Sequence, residues 1–409
     1  MKFKLLLKSP QLLSILHNVL MNETTKNKTF NIIDNEEYTY NQYSLLIVMD
    51  IVIKYQIIIS DEAYHNIFLD KLANITSIYN NHKDLIIKGN SLLIDLVSKK
   101  LNITTTESQD KKQILKYIYD KYIVNGYCFH SFPSKCKKEI EENGLTGNID
   151  VKELNDLKKI NYIFEHHNYK NIISRNLKEK SRAIYITDSP AMAYFYAFRS
   201  PEYMAELTSL SKYYKNIKNY NRNAFYEKDY ETCKSNLVSL CKHLNMTVKE
   251  ETTVLKTFDK RWHSLKLSES MPCIAFIKRK DLAKDKLSNI EDIINSVDTT
   301  SLNILVSKIT DSKYPVIRRY SNVNSLYLTV ITMPSYREIK NNKFLSKEKP
   351  KVVLNLKEEK ITVNDEEEEK NFNFKYAYSY GNANVVALTG LLLITLGLTL
   401  SIIIKVIGG

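Results

Sequence analysis

The sequence predicts an α+β protein with a helical N-terminal domain, a mixed α+β central domain and a single C-terminal transmembrane helix. Three observations lead there. Tyr43–Ile59 (YSLLIVMDIVIKYQIII) is a long apolar run free of Gly and Pro, the mark of a helix buried on most sides. From Gly126 onward, short strand-like runs alternate with helical ones, the pattern of a mixed layer fold. Val385–Ile404 (VVALTGLLLITLGLTLSIII) carries no charged residue. At about 1.5 Å per residue it is long enough to cross a bilayer core of about 30 Å.

Taken in order, residues 1–120 read as the helical domain. Asp50 and Lys54 lie at i and i+4 in the apolar run and can pair on one face. Burying both in lipid is costly, so this run is expected to be a core helix and not a second span. Leu92–Leu101 and Gln113–Val124 read as further helices. Residues 121–340 form the central domain. Tyr127–Phe132 reads as a strand, and Lys135–Asn143 as a helix that ends at Gly144. Arg182–Thr187 reads as a strand leading into a helix through Ala191–Leu207, and residues 208–265 read as helical. Cys273–Ile277, Leu302–Val306 and Leu326–Met333 read as strands. Residues 341–380 form a charged stalk that includes Asp365–Glu369, and residues 381–409 hold the anchor. Tyr376, Tyr378 and Tyr380 stand where an interfacial aromatic belt belongs.

Composition narrows the function. Glycine is scarce (9 of 409 residues), and neither G-x-G-x-x-G nor G-x-x-x-x-G-K occurs. A dinucleotide-binding Rossmann turn and a P-loop are therefore excluded. There is also no G-x-S-x-G elbow, no H-E-x-x-H and no kinase signature set. The net charge of +13 favours anionic partners, but no Lys/Arg block is dense enough to name a nucleic-acid module. Nucleic-acid binding at a membrane thus rests on charge alone. The five cysteines are odd in number and widely spaced, so they read as reduced structural thiols, and Cys233, Cys241 and His243 lack a zinc spacing. The first 20 residues lack a signal-peptide design, because Lys8 and Pro10 interrupt the apolar run. The expected arrangement is a tail-anchored, single-pass membrane protein with its N-terminal bulk in the cytosol.

Three segments of the central domain carry candidate chemistry. They are Phe129-His130-Ser131-Phe132 with Asn143-Gly144-Leu145, then Ala183-Ile184-Tyr185-Ile186-Thr187-Asp188-Ser189 with Tyr194, then Asn324-Ser325-Leu326-Tyr327-Leu328-Thr329-Val330. In this order they resemble the diphtheria-toxin and poly(ADP-ribose) polymerase branch of the ADP-ribosyltransferases, over residues 125–335. Members have F-H-G-[ST], I-x-x-x-G-L, G-I-Y-F-x-D followed by S-x-x-Y, and a strand bearing Glu or a substitute. The resemblance implies NAD as substrate. His130 would bind the adenosine ribose, the backbone at Ser131 would grip the carboxamide, and Tyr185 with Tyr194 would sandwich the nicotinamide. A flat ring calls for aromatic faces and a ribose hydroxyl for a fixed hydrogen-bond partner. Tyr185 and Ser325 would stand at the catalytic positions. No metal is implied.

Two departures shape the expectation. Ser131 replaces the family's glycine after the histidine, and Asn324 or Ser325 stands where the polymerases place Glu. The pattern then implies mono-ADP-ribosylation of an unknown, membrane-proximal protein target, or an inactive domain. The competing expectation is a catalytically inactive, membrane-anchored binding or scaffold protein in which these residues do other work. Glu202, Glu206 and the His166-His167 pair remain unplaced by the motif, and Trp262 with His263 reads as a surface or core packing point.

Overall fold

The computed structural model describes residues 4–7, 9–25, 28–31, 37–147, 151–168, 184–198, 229–264, 266, 269–279, 290–311, 317–319 and 321–341. The N-terminal half holds α1 (Lys4–Leu7), α2 (Pro10–Leu20), a small antiparallel hairpin of β1 (Thr29–Asn31) and β2 (Glu37–Thr39), α3 (Tyr40–Ile58), α4 (His65–Ile78), α5 (His82–Leu101) and α6 (Ser108–Tyr119). One π-helical turn, Asp120–Val124, continues α6. There follow β3 (Tyr127–Pro133), α7 (Lys137–Asn143), α8 (Val151–His166), β4 (Ile184–Ile186), α9 (Pro190–Phe198), α10 (Tyr230–His243), α11 (Val248–Ser264) and β5 (Pro272–Lys278). The last are α12 (Ile290–Asn295), α13 (Leu302–Thr310), β6 (Ile317–Arg319), β7 (Leu328–Thr332) and α14 (Tyr336–Lys340). The protein is therefore α+β.

The helix α3 is the centre of the larger core. A capping box starts it: the Thr39 hydroxyl accepts from the Gln42 N–H (3.2 Å), and the Gln42 side chain accepts from the Thr39 N–H (3.1 Å). Every residue from Tyr43 to Ile58 is buried, as a helix apolar on all sides requires. Asp50 and Lys54 pair within it at 2.7 Å, both almost fully covered. Close approach of α5 is permitted by Gly89, where a Cβ would lie 2.5 Å from the Ile51 side chain. The membrane-span expectation for Val385–Ile404 lies outside the described residues. Among those described, no helix is long and apolar enough to cross a membrane.

Strands β3, β5 and β7 form an antiparallel sheet in the order β3-β5-β7, and β4 pairs with β6 beside it. The β4 side joins β3 through reciprocal bonds between Phe129 and Thr187 (2.7 and 2.9 Å). One face of the sheet (Phe129, Ile274, Phe276, Ile331) shares a single core with α9 and the N-terminal helices. The other face (Cys128, Phe132, Cys273, Ala275, Ile277, Val330) packs with Ile184, Ile186, Leu145 and Val323. A satellite core joins α8, α10 and α11 around Phe164, Phe258 and Trp262, so of surface and core packing Trp262 takes the core.

Two expected strands differ. Leu302–Val306 lies in helix α13: Leu302, Leu305, Val306 and Ile309 recur at i, i+3, i+4 and i+7, and the last three are buried. A short apolar run suits either structure, and length decides it. Asn324–Leu326 is not strand either. The Asn324 side chain accepts from the Leu326 N–H (2.9 Å) and turns the chain into a 3-10 helix, Ser325–Tyr327, before β7. The expected stop of α7 is found as predicted. Gly144 has φ +81°, and its absent Cβ would lie 2.0 Å from the Val323 carbonyl, against which Leu145 pairs.

Candidate functional site

The middle of β3 carries His130. By strand alternation His130 shares a face with Cys128 and Phe132, and its register partners across the sheet are Ala275 and then Val330. The ring stacks loosely on Phe132, at 6.2 Å between centroids. Its Nδ1 lies 2.7 Å from the Tyr185 carbonyl oxygen. A carbonyl only accepts, so Nδ1 carries the hydrogen and donates, which leaves Nε2 as an acceptor. Burial pushes the His130 pKa down, and the bond to Tyr185 opposes this only in part. The imidazole is therefore neutral at ordinary pH, half-buried, and suited to receiving a hydroxyl proton donor.

The backbone of Ser131 is oriented by the same alternation. The N–H and C=O of Phe129 both point to Thr187, so those of Ser131, two residues on, point to that side also. His130, Ser131 and the Tyr185 carbonyl thus come together along the β3–β4 edge. The Tyr185 ring does not accompany them on the same face, because it alternates with Ile184 and Ile186, which pack with Cys128.

Tyr194 is elsewhere. It has no exposed surface and lies on α9 within the core shared with α3, on the face of the sheet opposite His130. Burial pushes its hydroxyl pKa well up, and the charge of Glu338 adds to this. Both tyrosine rings therefore lie across the sheet from His130, and neither stands beside the imidazole. The helix is apolar on all sides: α9 buries Ala191, Met192, Ala193, Tyr194 and Phe195 alike, so Tyr194 is consumed by packing. Ser325 is also displaced. It stands three residues before β7, beyond the Tyr127–Lys278 end of the sheet, whereas Val330 is level with His130. No carboxylate occupies either position.

Sequence reasoning missed a buried ion pair beside the site. Asp188 follows the Phe129–Thr187 bridge, and its carboxylate lies 3.8 Å from the Arg279 guanidinium, with side-chain exposures of 4% and 10%. The one available signal was Asp188 within the motif. Its partner lies 91 residues away in sequence and has no pattern of its own. The remaining candidates are separate. His167 Nε2 contacts Glu250 at 3.1 Å, part of the cap of α11. None of the five cysteines forms a disulfide among the described residues, and burial raises the Cys233 and Cys241 thiols to about 12, so these two are inert at neutral pH. Among the described residues no group of three or more His, Cys, Asp or Glu is arranged to hold a metal ion.

No family model matches this chain, and no curated protein or solved structure matches it significantly.

Proposed function

We propose that this chain is a membrane-tethered binding protein whose β3–β4 edge receives a ribose-bearing ligand at His130 without transferring any part of it. The observation that carries this reading is the position of Tyr194, sealed in the core across the sheet from His130. Cleaving a nicotinamide–ribose bond requires the ring to be held and water excluded. Both tyrosine rings lie across the sheet from His130, and Ser325 offers no carboxylate to orient the ribose. What remains is recognition chemistry: the His130 Nε2 as acceptor, and the Ser131 backbone facing the same edge. The tether, Val385–Ile404, enters from its sequence alone, and so does the cytosolic placement of the bulk.

The test is nicotinamide release from NAD by the full chain in detergent, with binding of NAD measured on the same sample. The expected result is saturable binding, weakened at least tenfold by His130→Ala, with no release above a heat-denatured control. Turnover that disappears in both His130→Ala and Tyr185→Ala would replace this reading with mono-ADP-ribosyl transfer to a membrane-proximal protein. That second reading is favoured by the His130–Tyr185 contact, which joins two of the motif segments in space.

A further inference from the structure

β4 is only three residues long. Its own edge pairs with β6, another three-residue strand. Among the described residues, its backbone attachment to β3 is the single Phe129–Thr187 bridge. So short a strand, held at one point, frays readily. The His130 tautomer nevertheless depends on the Tyr185 carbonyl, two residues before that bridge, staying at 2.7 Å.

Something must hold the turn after β4. Asp188, the residue immediately after the bridge, reaches across to Arg279 at 3.8 Å, and both side chains are nearly covered. Arg279 is itself fixed at the end of β5, where its N–H donates to the Gly126 carbonyl at 3.0 Å, at the start of β3. The ion pair therefore ties the β4 turn to the far side of β3, spanning the strand that carries His130. On the other side of Asp188, Ser189 begins α9: its hydroxyl accepts from the Met192 N–H at 3.2 Å, and its own N–H donates to the Thr187 hydroxyl at 3.0 Å. The turn is thus set between a helix start anchored in the main core and a guanidinium anchored on the sheet.

We propose that Asp188 and Arg279 are positioning residues for His130: by fixing the turn after β4 they hold the Tyr185 carbonyl on Nδ1 and reserve Nε2 to accept from a ligand hydroxyl. The inference deepens the binding reading above and rests on it for its use, but not for its test. Without the pair, β4 loosens from β3, the Tyr185 carbonyl leaves Nδ1, and the imidazole hydrogen is free to move to Nε2. A donor then faces the ligand hydroxyl where an acceptor is needed.

The test uses the full chain in detergent, labelled with 15N at histidine, in long-range 1H–15N correlation spectra at neutral pH without ligand. His130 is assigned by the signals that vanish in His130→Gln. The wild type is expected in the Nδ1–H form. Asp188→Asn combined with Arg279→Gln, which leaves no unpaired buried charge, is expected to bring both ring nitrogens to intermediate shifts, the sign of mixed tautomers. Arg279→Lys, which keeps the charge, is expected to retain the Nδ1–H form. Should the double variant not fold, Asp188→Asn alone carries the same expectation. An unchanged His130 signal in the folded neutralised variant overturns the proposal, as does a wild type in the Nε2–H form. Leu72→Ala, a cavity in α4, which packs on α2 and α5, controls for general loosening, and an equal tautomer shift there also overturns it. Because the spectra are read without ligand, a chain that binds no NAD would refute the binding reading and leave this result standing.

Discussion

The helix α3 and the strand β4 belong to one fold and are held in opposite ways. α3 runs for 19 residues from a capping box, buried from Tyr43 to Ile58, with an ion pair inside its own length. β4 runs for three residues and is held by partners at positions 129, 130, 279 and 317–319. The first is stable because of what its own sequence is. The second is where it is because of what distant segments do. Candidate binding groups gather at the second, which fits a general division of labour: rigid cores carry the fold, and weakly held edges carry recognition.

The largest effect expected from breaking this contrast lies in α3. Removing one member of a buried ion pair strands the other charge, at a cost of about 3–5 kcal/mol. Lys54→Met is expected to lower the urea-unfolding stability of the full chain by that order. Asp50→Leu together with Lys54→Met is expected to return it to wild type or above, since apolar residues of similar volume suit a dry core. A single variant that costs less than about 1 kcal/mol would mean that solvent reaches the pair, and the contrast with the β4 edge would fail.

The next effect is a pH dependence on the α3 side. His82 packs against Tyr40 and Tyr43, each with a ring centroid 4.5 Å away, and its Nε2 lies 3.2 Å from the Tyr40 carbonyl. Burial lowers its pKa to about 4, with the Tyr40 contact opposing. The unfolded chain takes up this proton near pH 6.5 and the folded chain does not until about 4. Its contribution to stability is therefore full above about pH 6.5 and lost as pH falls from there toward 4, by up to about 3 kcal/mol. Thermal unfolding of wild type and His82→Gln at pH 7 and pH 4.5 measures it. The wild type should lose more than the variant, and equal losses would place the histidine in water.

These two sites also show what was legible in the sequence. The α3 pair could be read directly, because i, i+4 spacing in an apolar run is a local fact. The stop of α7 at Gly144 was local in the same sense. The strand ladder was legible only as a set of short runs. The run at Leu302 became a helix because the helical period continues past Val306 to Ile309, in a helix of nine residues. Asn324 became a turn because its side chain competes for the Leu326 N–H. Within the site, the join of His130 to the Tyr185 segment followed the motif order. The burial of Tyr194 did not, since nothing in its neighbourhood says which face of the sheet α9 covers. Arg279 was invisible because its role comes from crossing β3 in space.

The smallest effect concerns the seam between the two regions. The π-helical turn Asp120–Val124 ends the helical half and delivers the chain to β3. Such turns often occur at functional positions, since they re-aim side chains that a regular helix would bury against its neighbours. Here the turn aims Tyr122 inward, to 3% exposure, with no hydrogen-bond partner for its hydroxyl among the described residues. Burial raises its pKa well above that of free tyrosine. The charges of Asp50, Asp188 and Asp311 add to the rise, while Arg279 opposes it. Tyr122 thus lies within electrostatic reach of both the α3 pair and the β4 turn. An unpaired buried hydroxyl contributes no bond and keeps its desolvation cost, so Tyr122→Phe is expected to leave stability unchanged or raise it by up to about 1 kcal/mol. It is also expected to leave the His130 tautomer as it is, because it removes no charge and no tether. A loss of more than about 1 kcal/mol in urea unfolding would mean that the hydroxyl is bridged by water to the charges around it. In that case the two regions would be coupled through a hydrated seam, and the separation between a self-sufficient α3 and a dependent β4 would have to give way to a shared polar network.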